Sequence, residues 1–336
     1  MKKVLVNSAF LIAGLLSLTA AISQEDNKKE EPKFKKIKTY TKSYSLSGND
    51  KVSLSNQFGE MKITTWEKNE VKVDVTITCK SDVEERAQKI LDHISIVDSK
   101  GASGVYFKTK FDDDKEVGKD DKGKHFNHNE SMEINYAVYL PAGNPLNAEN
   151  QFGKMIIPDY KGEAELASKF GSLEAGRISN AKKIDVEFGE ANIAQVNGGK
   201  LAIRFSSGTV NKLSGDVKTD LEFSQVKLNI DNDIKSLELH NSYSTVYLDL
   251  NKNLSATYDI STSHGSFSNK TVFTIKEKEK EDSRYGPRFN SEFSGTSGSG
   301  AAKLKIESSF GEIIAGHDLQ VDLKKKEKDK SKTRRV

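Results

Sequence analysis

Apolar and polar residues alternate along much of this 336-residue chain, and the alternation breaks at a recurring phrase of two residues, an aromatic ring followed by a small residue. The phrase stands at Phe152-Gly153, Phe170-Gly171, Phe188-Gly189, Phe205-Ser206, Phe223-Ser224, Tyr243-Ser244 and His264-Gly265, with outlying copies at Phe58-Gly59 and Phe310-Gly311. Spacings across the central run are 18, 18, 17, 18, 20 and 21 residues. Ahead of the aromatic, apolar residues fall at even offsets: Ile184 and Val186 before Phe188, Leu201 and Ile203 before Phe205, Leu237 and Leu239 before Tyr243, Ile306 before Phe310. Behind it they fall three and five residues on, as Met61 and Ile63, Met155 and Ile157, Val226 and Leu228, Val246 and Leu248. Each arm has the two-residue period of a strand with one buried face, and the chain turns a corner between the arms.

A period near 18 residues predicts an all-β parallel solenoid, in which each unit buries its apolar face by stacking on its neighbours. At about 3.3 Å per extended residue, one unit makes a circuit of roughly 60 Å, room for two or three short strands and their turns. The second turn is expected at Gly162, Gly176, Asn197-Gly198-Gly199, Ser214-Gly215 and Asn251-Lys252-Asn253, all turn formers. The parity change is placed at the small residue, where glycine and serine both occur, so compactness rather than positive φ is the expected requirement. The rings are expected to point inward and stack as a core column, which makes Phe188→Ala a core truncation of about 3 to 5 kcal/mol. The competing fold is an antiparallel sandwich of hairpins, which also alternates but needs no aromatic at a fixed interval.

An insertion, 80–147, separates the first copy from the second. Ser81 to Ile94 reads as a capping helix, with Ser81 and Glu84 spaced as a capping box and Val83, Ala87, Ile90, Leu91 and Ile94 on one stripe. Strands are expected at Val105 to Phe111 and Met132 to Leu140, joined by a charged, mobile loop at 112–130. A second insertion, 276–300, reads as a surface hairpin ahead of the closing copy. The main domain runs over 40–318, after a charged linker at 24–39 and before a basic tail at 319–336 that is expected to be disordered.

The N-terminus bears on compartment. Met1-Lys2-Lys3, the apolar stretch Val4 to Leu18 and the small residues around Ala21-Ile22-Ser23 predict a secretory signal peptide over 1–23. That apolar stretch is too short for a spanning helix, and no other segment approaches one. The single cysteine, Cys79, excludes an internal disulfide and leaves no acylated cysteine after the signal. It continues the alternation of Val71, Val73, Val75 and Ile77 and reads as a buried core thiol. Charges nearly balance, with 52 Lys and Arg against 49 Asp and Glu, but Lys324 to Val336 concentrates eight basic residues against Glu327 and Asp329. Export and a slightly acidic body disfavour nucleic acid as a partner, while the tail suits anionic lipid or acidic polysaccharide.

Candidate chemistry is sparse. The 112–130 loop carries Asp112, Asp113, Asp114, Asp120, Asp121, His125 and His128, without the alternating ligands and turn glycine of a calcium loop or a paired Cys or Glu motif. Asp231-Asn232-Asp233 reads as a turn, and His264 as a packing residue in an aromatic slot. Outward positions offer Asp185, Glu187, Arg204, Glu222, Glu238 and His240. Asp185 and Glu187 share a strand face about 7 Å apart, a spacing that paired carboxylates use. In a chain 30% charged, any solvated sheet face produces such pairs. No nucleophile elbow, phosphate loop or zinc signature occurs, and no catalytic residue, cofactor or metal ligand is assigned.

The phrases Tyr136-Ala137-Val138-Tyr139-Leu140-Pro141 and Asn150-Gln151-Phe152-Gly153-Lys154-Met155, the aromatic-glycine units after them, and the closing Gly298-Ser299-Gly300 with Lys303 to Ile313 resemble the putative-adhesin family of exported bacterial β-helix domains. The resemblance covers residues 40 to 318. It implies a right-handed, single-stranded parallel β-helix in an envelope or surface protein of a Gram-negative-type bacterium, and it brings no catalytic residues. The expected function is a non-enzymatic exported scaffold, periplasmic, bound to the outer membrane or on the cell surface, that binds glycans or envelope proteins along a sheet face. A polysaccharide-acting β-helix enzyme and a structural or stress-related envelope protein are the alternatives.

Overall fold

Successive copies of the phrase pair strand on strand, in parallel and in register. Ahead of the aromatic, Leu166, Ile184, Leu201, Thr219, Leu239, Ile306 and Ile260 are consecutive partners. Behind it, Met61, Met155, Leu173, Ala191, Gly208, Val226, Val246, Ile313 and Phe267 are. The chain thus builds a leading ladder and a trailing ladder, and the long strands Ser172–Glu187, Glu190–Arg204, Ser207–Glu222 and Gln225–Ser242 serve both. Register shifts interrupt them at the expected second turn, where Gly198, Gly199 and Gly215 take φ of 72°, 75° and 71°. Parallel pairing of the central copies excludes the hairpin sandwich. The computed structural model describes residues 31–112, 129–279 and 289–323, with 21 strands and one helix among them. Contacts divide the chain into Met1–Glu31 and Pro32–Val336, and the description concerns the second unit. The signal peptide, most of the 112–130 loop with His125 and His128, the middle of the second insertion and the tail from Lys324 lie outside the described residues.

The sheet is mixed, not purely parallel as expected. Antiparallel pairs close both ends: Phe34–Ser45 on Glu70–Ser81 and Glu70–Ser81 on Ser131–Leu140 at one, Asn290–Ser297 on Ala256–Ser263 and on Ile275–Glu277 at the other. A parallel stack ends in unpaired backbone groups, and hairpin arms cover them. The outermost strand begins at Phe34, inside the stretch expected as linker, and carries Lys35, Lys36, Lys38 and Lys42, which oppose pairing with another chain. Both insertions therefore extend the ladders. Val52–Gln57, in the first copy, lies between Gly104–Phe111 and Leu146–Gln151. The last copy in sequence is not last in space: Ala302–Ser309 lies between Gln225–Ser242 and Ala256–Ser263. The helix is shorter than expected, Glu84–Asp92. Its Ser81 hydroxyl accepts from the Val83 amide at 3.2 Å and forms no capping box, leaving Val83 exposed while Ala87, Ile90 and Leu91 are buried.

Alternate side chains of both ladders enter one hydrophobic cluster. The parity change that joins them occurs at the aromatic, not at the small residue. All nine phrase aromatics have φ between 46° and 63°, the left-handed region. That conformation turns one side chain out of the alternation, so the inward set runs two and four residues before the aromatic, then one, three and five after it. The small residue is the inward one. None of the six phrase glycines has positive φ; what they share is a neighbour against the Cα. A Cβ on Gly171 would stand 1.9 Å from the Gly153 carbonyl oxygen, and one on Gly189 would stand 1.8 Å from that of Gly171. Compactness was the expected requirement, and the contact supplies its reason. Gly171→Ala should therefore cost about 3 kcal/mol through overpacking. Gly143→Ala, where a Cβ meets nothing within 4 Å, should stay within about 0.5 kcal/mol of the parent in urea unfolding.

Candidate functional site: an exterior aromatic column

Left-handed backbone at each phrase aromatic sends its ring to solvent. The rings of Phe152, Phe170, Phe188, Phe205, Phe223, Tyr243 and Phe310 are each 41 to 51% exposed, so the expected inward core column is corrected to an exterior one. Stacking itself is as expected. In spatial order the file runs Phe58, Phe152, Phe170, Phe188, Phe205, Phe223, Tyr243, Phe310, His264 and Phe289, with centroids 4.4 to 5.1 Å apart and planes within 13°. This pitch is the strand spacing of a sheet, about 4.8 Å, so correct pairing of the backbones places the rings at stacking distance without further adjustment. Ten rings at that pitch span on the order of 40 Å.

Because the faces cover one another, the column presents ring edges. It is a narrow apolar ridge with polar shoulders, Gln151, Lys169, Glu187, Arg204 and Glu222 on one side. Phe111 closes one end, edge-on to Phe58 at 5.8 Å, and exposed Phe289 forms the other. Phe111 and Phe289 escaped the sequence reading because neither precedes a small residue nor keeps the spacing. His264 fills its slot as a packing residue, stacked between Phe310 and Phe289, with its Nδ1 3.2 Å from the Ser263 hydroxyl. Each stacked pair contributes about 0.5 to 1.5 kcal/mol. Each left-handed residue costs about 1 to 2 kcal/mol. The two nearly cancel, so the column adds little net stability.

The outward face of the leading ladder holds the acids singled out in the sequence, and it ties them into ion pairs. Asp185 is 7% exposed, lies between the register partners Ala167 and Ala202, and binds Arg204 at 2.7 Å and Lys183 at 3.0 Å. Burial alone would raise its carboxyl, but the Lys183 hydrogen bond and the Arg204 guanidinium hold it below the usual carboxylate range. Glu187 faces Lys169 at 3.8 Å, Glu238 binds Lys218 at 2.9 Å, and His240 lies 3.4 Å from Glu238 and 3.1 Å from Glu307. Lys218 likewise lowers the Glu238 carboxyl and Lys305 that of Glu307, the opposite of what a general acid needs. Cys79 is fully buried, and burial pushes its thiol up to about 11. Asp231 and Asp233 are held by Lys212, at 2.7 Å from each. Among the described residues no group of three or more His, Cys, Asp or Glu side chains is placed to hold a metal ion, and no helix is long and apolar enough to cross a membrane.

No family model and no curated protein matches the chain. Among solved structures, a putative adhesin of Bacteroides fragilis aligns at 10% identity over 83% of this chain and 97% of its own, with a TM-score of 0.38. A putative cell adhesion protein of Clostridium sporogenes aligns at 15% identity over 84% and 100%, TM-score 0.27. A putative lipid binding protein of Parabacteroides distasonis aligns at 10% identity over 82% and 96%, TM-score 0.25.

Two outcomes follow from the site's geometry. Phe188→Ala keeps the left-handed backbone and loses the stack, whereas Phe188→Gly loses both the stack and the strain, so Ala should be the worse substitution by about 1 kcal/mol. In an ordinary strand the order is reversed, and urea midpoints decide. For Asp185 the folded pKa is depressed, so its stabilisation is present above the unfolded carboxylate value, about 4, and is lost as pH falls through the folded value. Asp185→Asn should cost about 1 to 3 kcal/mol at neutral pH and leave a shallower loss of stability below about pH 4 than the parent shows.

Proposed function

We propose that the chain is a non-catalytic binding scaffold of the cell envelope, exported by its N-terminal signal and coiled as a right-handed, single-stranded β-helix. What supports the coil is the parallel register of each copy on the next, with the chain alternating between two ladders that share one core. The observation that carries the binding role is the column. An uninterrupted file of half-exposed rings contributes little to folding, yet it is built nine times over from residues held in an unfavourable backbone conformation. Such a ridge meets an extended partner along its length. The acids on which an enzyme reading relied are engaged in ion pairs, so the scaffold is the better account.

Co-sedimentation with outer-membrane preparations tests this reading. The triple variant Phe170→Asn, Phe188→Asn, Phe205→Asn uses a residue that tolerates left-handed backbone, so the corner keeps its shape. It should retain its circular dichroism and lose about tenfold in retained protein. Binding equal to the parent would remove the column from the reading. Release of reducing ends from an acidic polysaccharide by the parent would replace the scaffold with an enzyme.

A further inference from the structure

The residues just ahead of the rings form one shoulder of the column, and their order is not required by stacking or by burial. In register along the leading ladder, this row runs Gln57, Gln151, Lys169, Glu187, Arg204, Glu222, Ser242, Ser309 and Ser263. Four charges of alternating sign stand together, with uncharged residues on both sides. Reversed end to end, plus, minus, plus, minus becomes minus, plus, minus, plus. The row is therefore complementary to a reversed copy of itself. Its charges also have capacity for a further partner: Glu222 has no ion pair among the described residues, and Lys169 reaches Glu187 only at 3.8 Å.

A twofold axis between the strands of Glu187 and Arg204 sets two columns face to face and antiparallel. Lys169 then faces Glu222 of the second copy and Glu187 faces its Arg204, and symmetry repeats both pairs. Gln151 meets Ser242, and Gln57 meets Ser309, so every position of the row finds a compatible partner. Moving the axis by one strand keeps only two of the four pairs, and moving it by half a strand sets Glu187 against itself and Lys169 against Arg204. Parallel columns are worse, because the leading row then meets the trailing shoulder and Glu187 faces Glu190 with no opposite pair elsewhere. On the trailing side the antiparallel arrangement sets Glu190 against Ser207, Ser172 against Gln225 and Lys154 against Thr245. Its one like-charged pair, Glu60 with Glu312, falls at the far ends.

The rings agree with the same axis. Any partner that meets ring after ring must repeat at the strand spacing, about 4.8 Å, and a second column does so by construction. Phe188 comes opposite Phe205, Phe170 opposite Phe223, Phe152 opposite Tyr243 and Phe58 opposite Phe310, with His264 and Phe289 beyond the overlap. An overlap of ~40 Å by a ridge and shoulders ~15 Å wide buries roughly 600 Å² on each copy. The total, about 1,200 Å², lies at the lower edge of specific interfaces, which suits a reversible dimer.

We propose that the column is a homotypic docking surface, on which two copies of this chain pair antiparallel, ring edge to ring edge, in a register set by Lys169, Glu187, Arg204 and Glu222. The inference rests on the reading of the column as the binding surface and names its partner.

Sedimentation equilibrium of the full chain over roughly 1 to 100 µM tests it. The parent should dimerise, and more weakly as salt is raised. Glu222→Lys and Lys169→Glu each turn two of the four pairs into like charges, because every contact occurs twice about the axis. Each variant alone should dimerise about tenfold more weakly than the parent, with unchanged circular dichroism. Mixed in equal amounts, the two restore all four pairs, so the mixture should dimerise as the parent does. A parent that stays monomeric, single variants that dimerise like the parent, or a mixture that stays monomeric would each overturn the proposal. The triple variant Phe170→Asn, Phe188→Asn, Phe205→Asn separates this failure from that of the column itself. A monomeric parent whose membrane retention still falls on the triple substitution overturns self-pairing and leaves the column as a binding surface. A triple variant that dimerises as tightly as the parent overturns the column as the contact between copies.

Discussion

Everything in this fold depends on how closely the backbone of one copy approaches the backbone of the next at the inward small residue. The Gly153 carbonyl lies where a Cβ of Gly171 would be, and the same oxygen accepts the Ser172 amide at 3.3 Å. One residue earlier, the Phe170 amide donates to the Glu187 carbonyl of the following copy at 2.9 Å. Hydrogen bonding therefore continues on both sides of the corner, from the amide of the aromatic and from the amide after the small residue. Where serine replaces glycine, its hydroxyl joins the same ladder. The Ser206 Oγ accepts from the Gly189 amide at 2.9 Å and donates to its own chain's Arg204 carbonyl at 2.6 Å, and Ser224 and Ser244 repeat the arrangement. At the two ends asparagine does the work instead, with the Asn150 amide on the Gly59 carbonyl and that of Asn241 on the Ser244 carbonyl.

The column is a consequence of that approach. For the small residue to point inward after an inward residue two places before the aromatic, one residue must be skipped, and the left-handed aromatic is that skipped residue. Glycine would adopt this conformation at no steric cost. An aromatic does so only because the ladder pitch brings each ring onto the next. Stacking repays strain about one for one, and this leaves half of each ring in water. A sequence selected for stability alone would place glycine there, so the retained rings point to a use outside folding.

The two periodic arms and the corner were legible because burial imposes a period of two, which composition cannot disguise. Ile184, Val186, Met155 and Ile157 are all buried, as the offsets require. The direction of the ring was not legible, because an aromatic at a fixed interval among buried residues is ordinarily buried itself; its backbone φ, which no residue type announces, decides the matter. The true position of the Phe310 copy was equally hidden. Its spacing from His264 says that the chain leaves and returns, but not that it returns beneath the copy it had already laid down. Asp185 and Glu187 were correctly placed on one outward face, yet their neutralisation depends on Arg204 and Lys183, partners set by inter-strand register rather than by the strand itself.

The division of chemistry among the outward surfaces follows from the same geometry. A ladder in parallel register sets like positions beside like positions, so a charge at one offset recurs at 4.8 Å or so from another, and like charges would repel. The leading ladder resolves this by alternating sign along the row Lys169, Glu187, Arg204 and Glu222, and by giving each of the in-register lysines Lys183, Lys200 and Lys218 an acid of its own, Asp185, Asp220 and Glu238. A face solved in that way has little left to offer a small ligand.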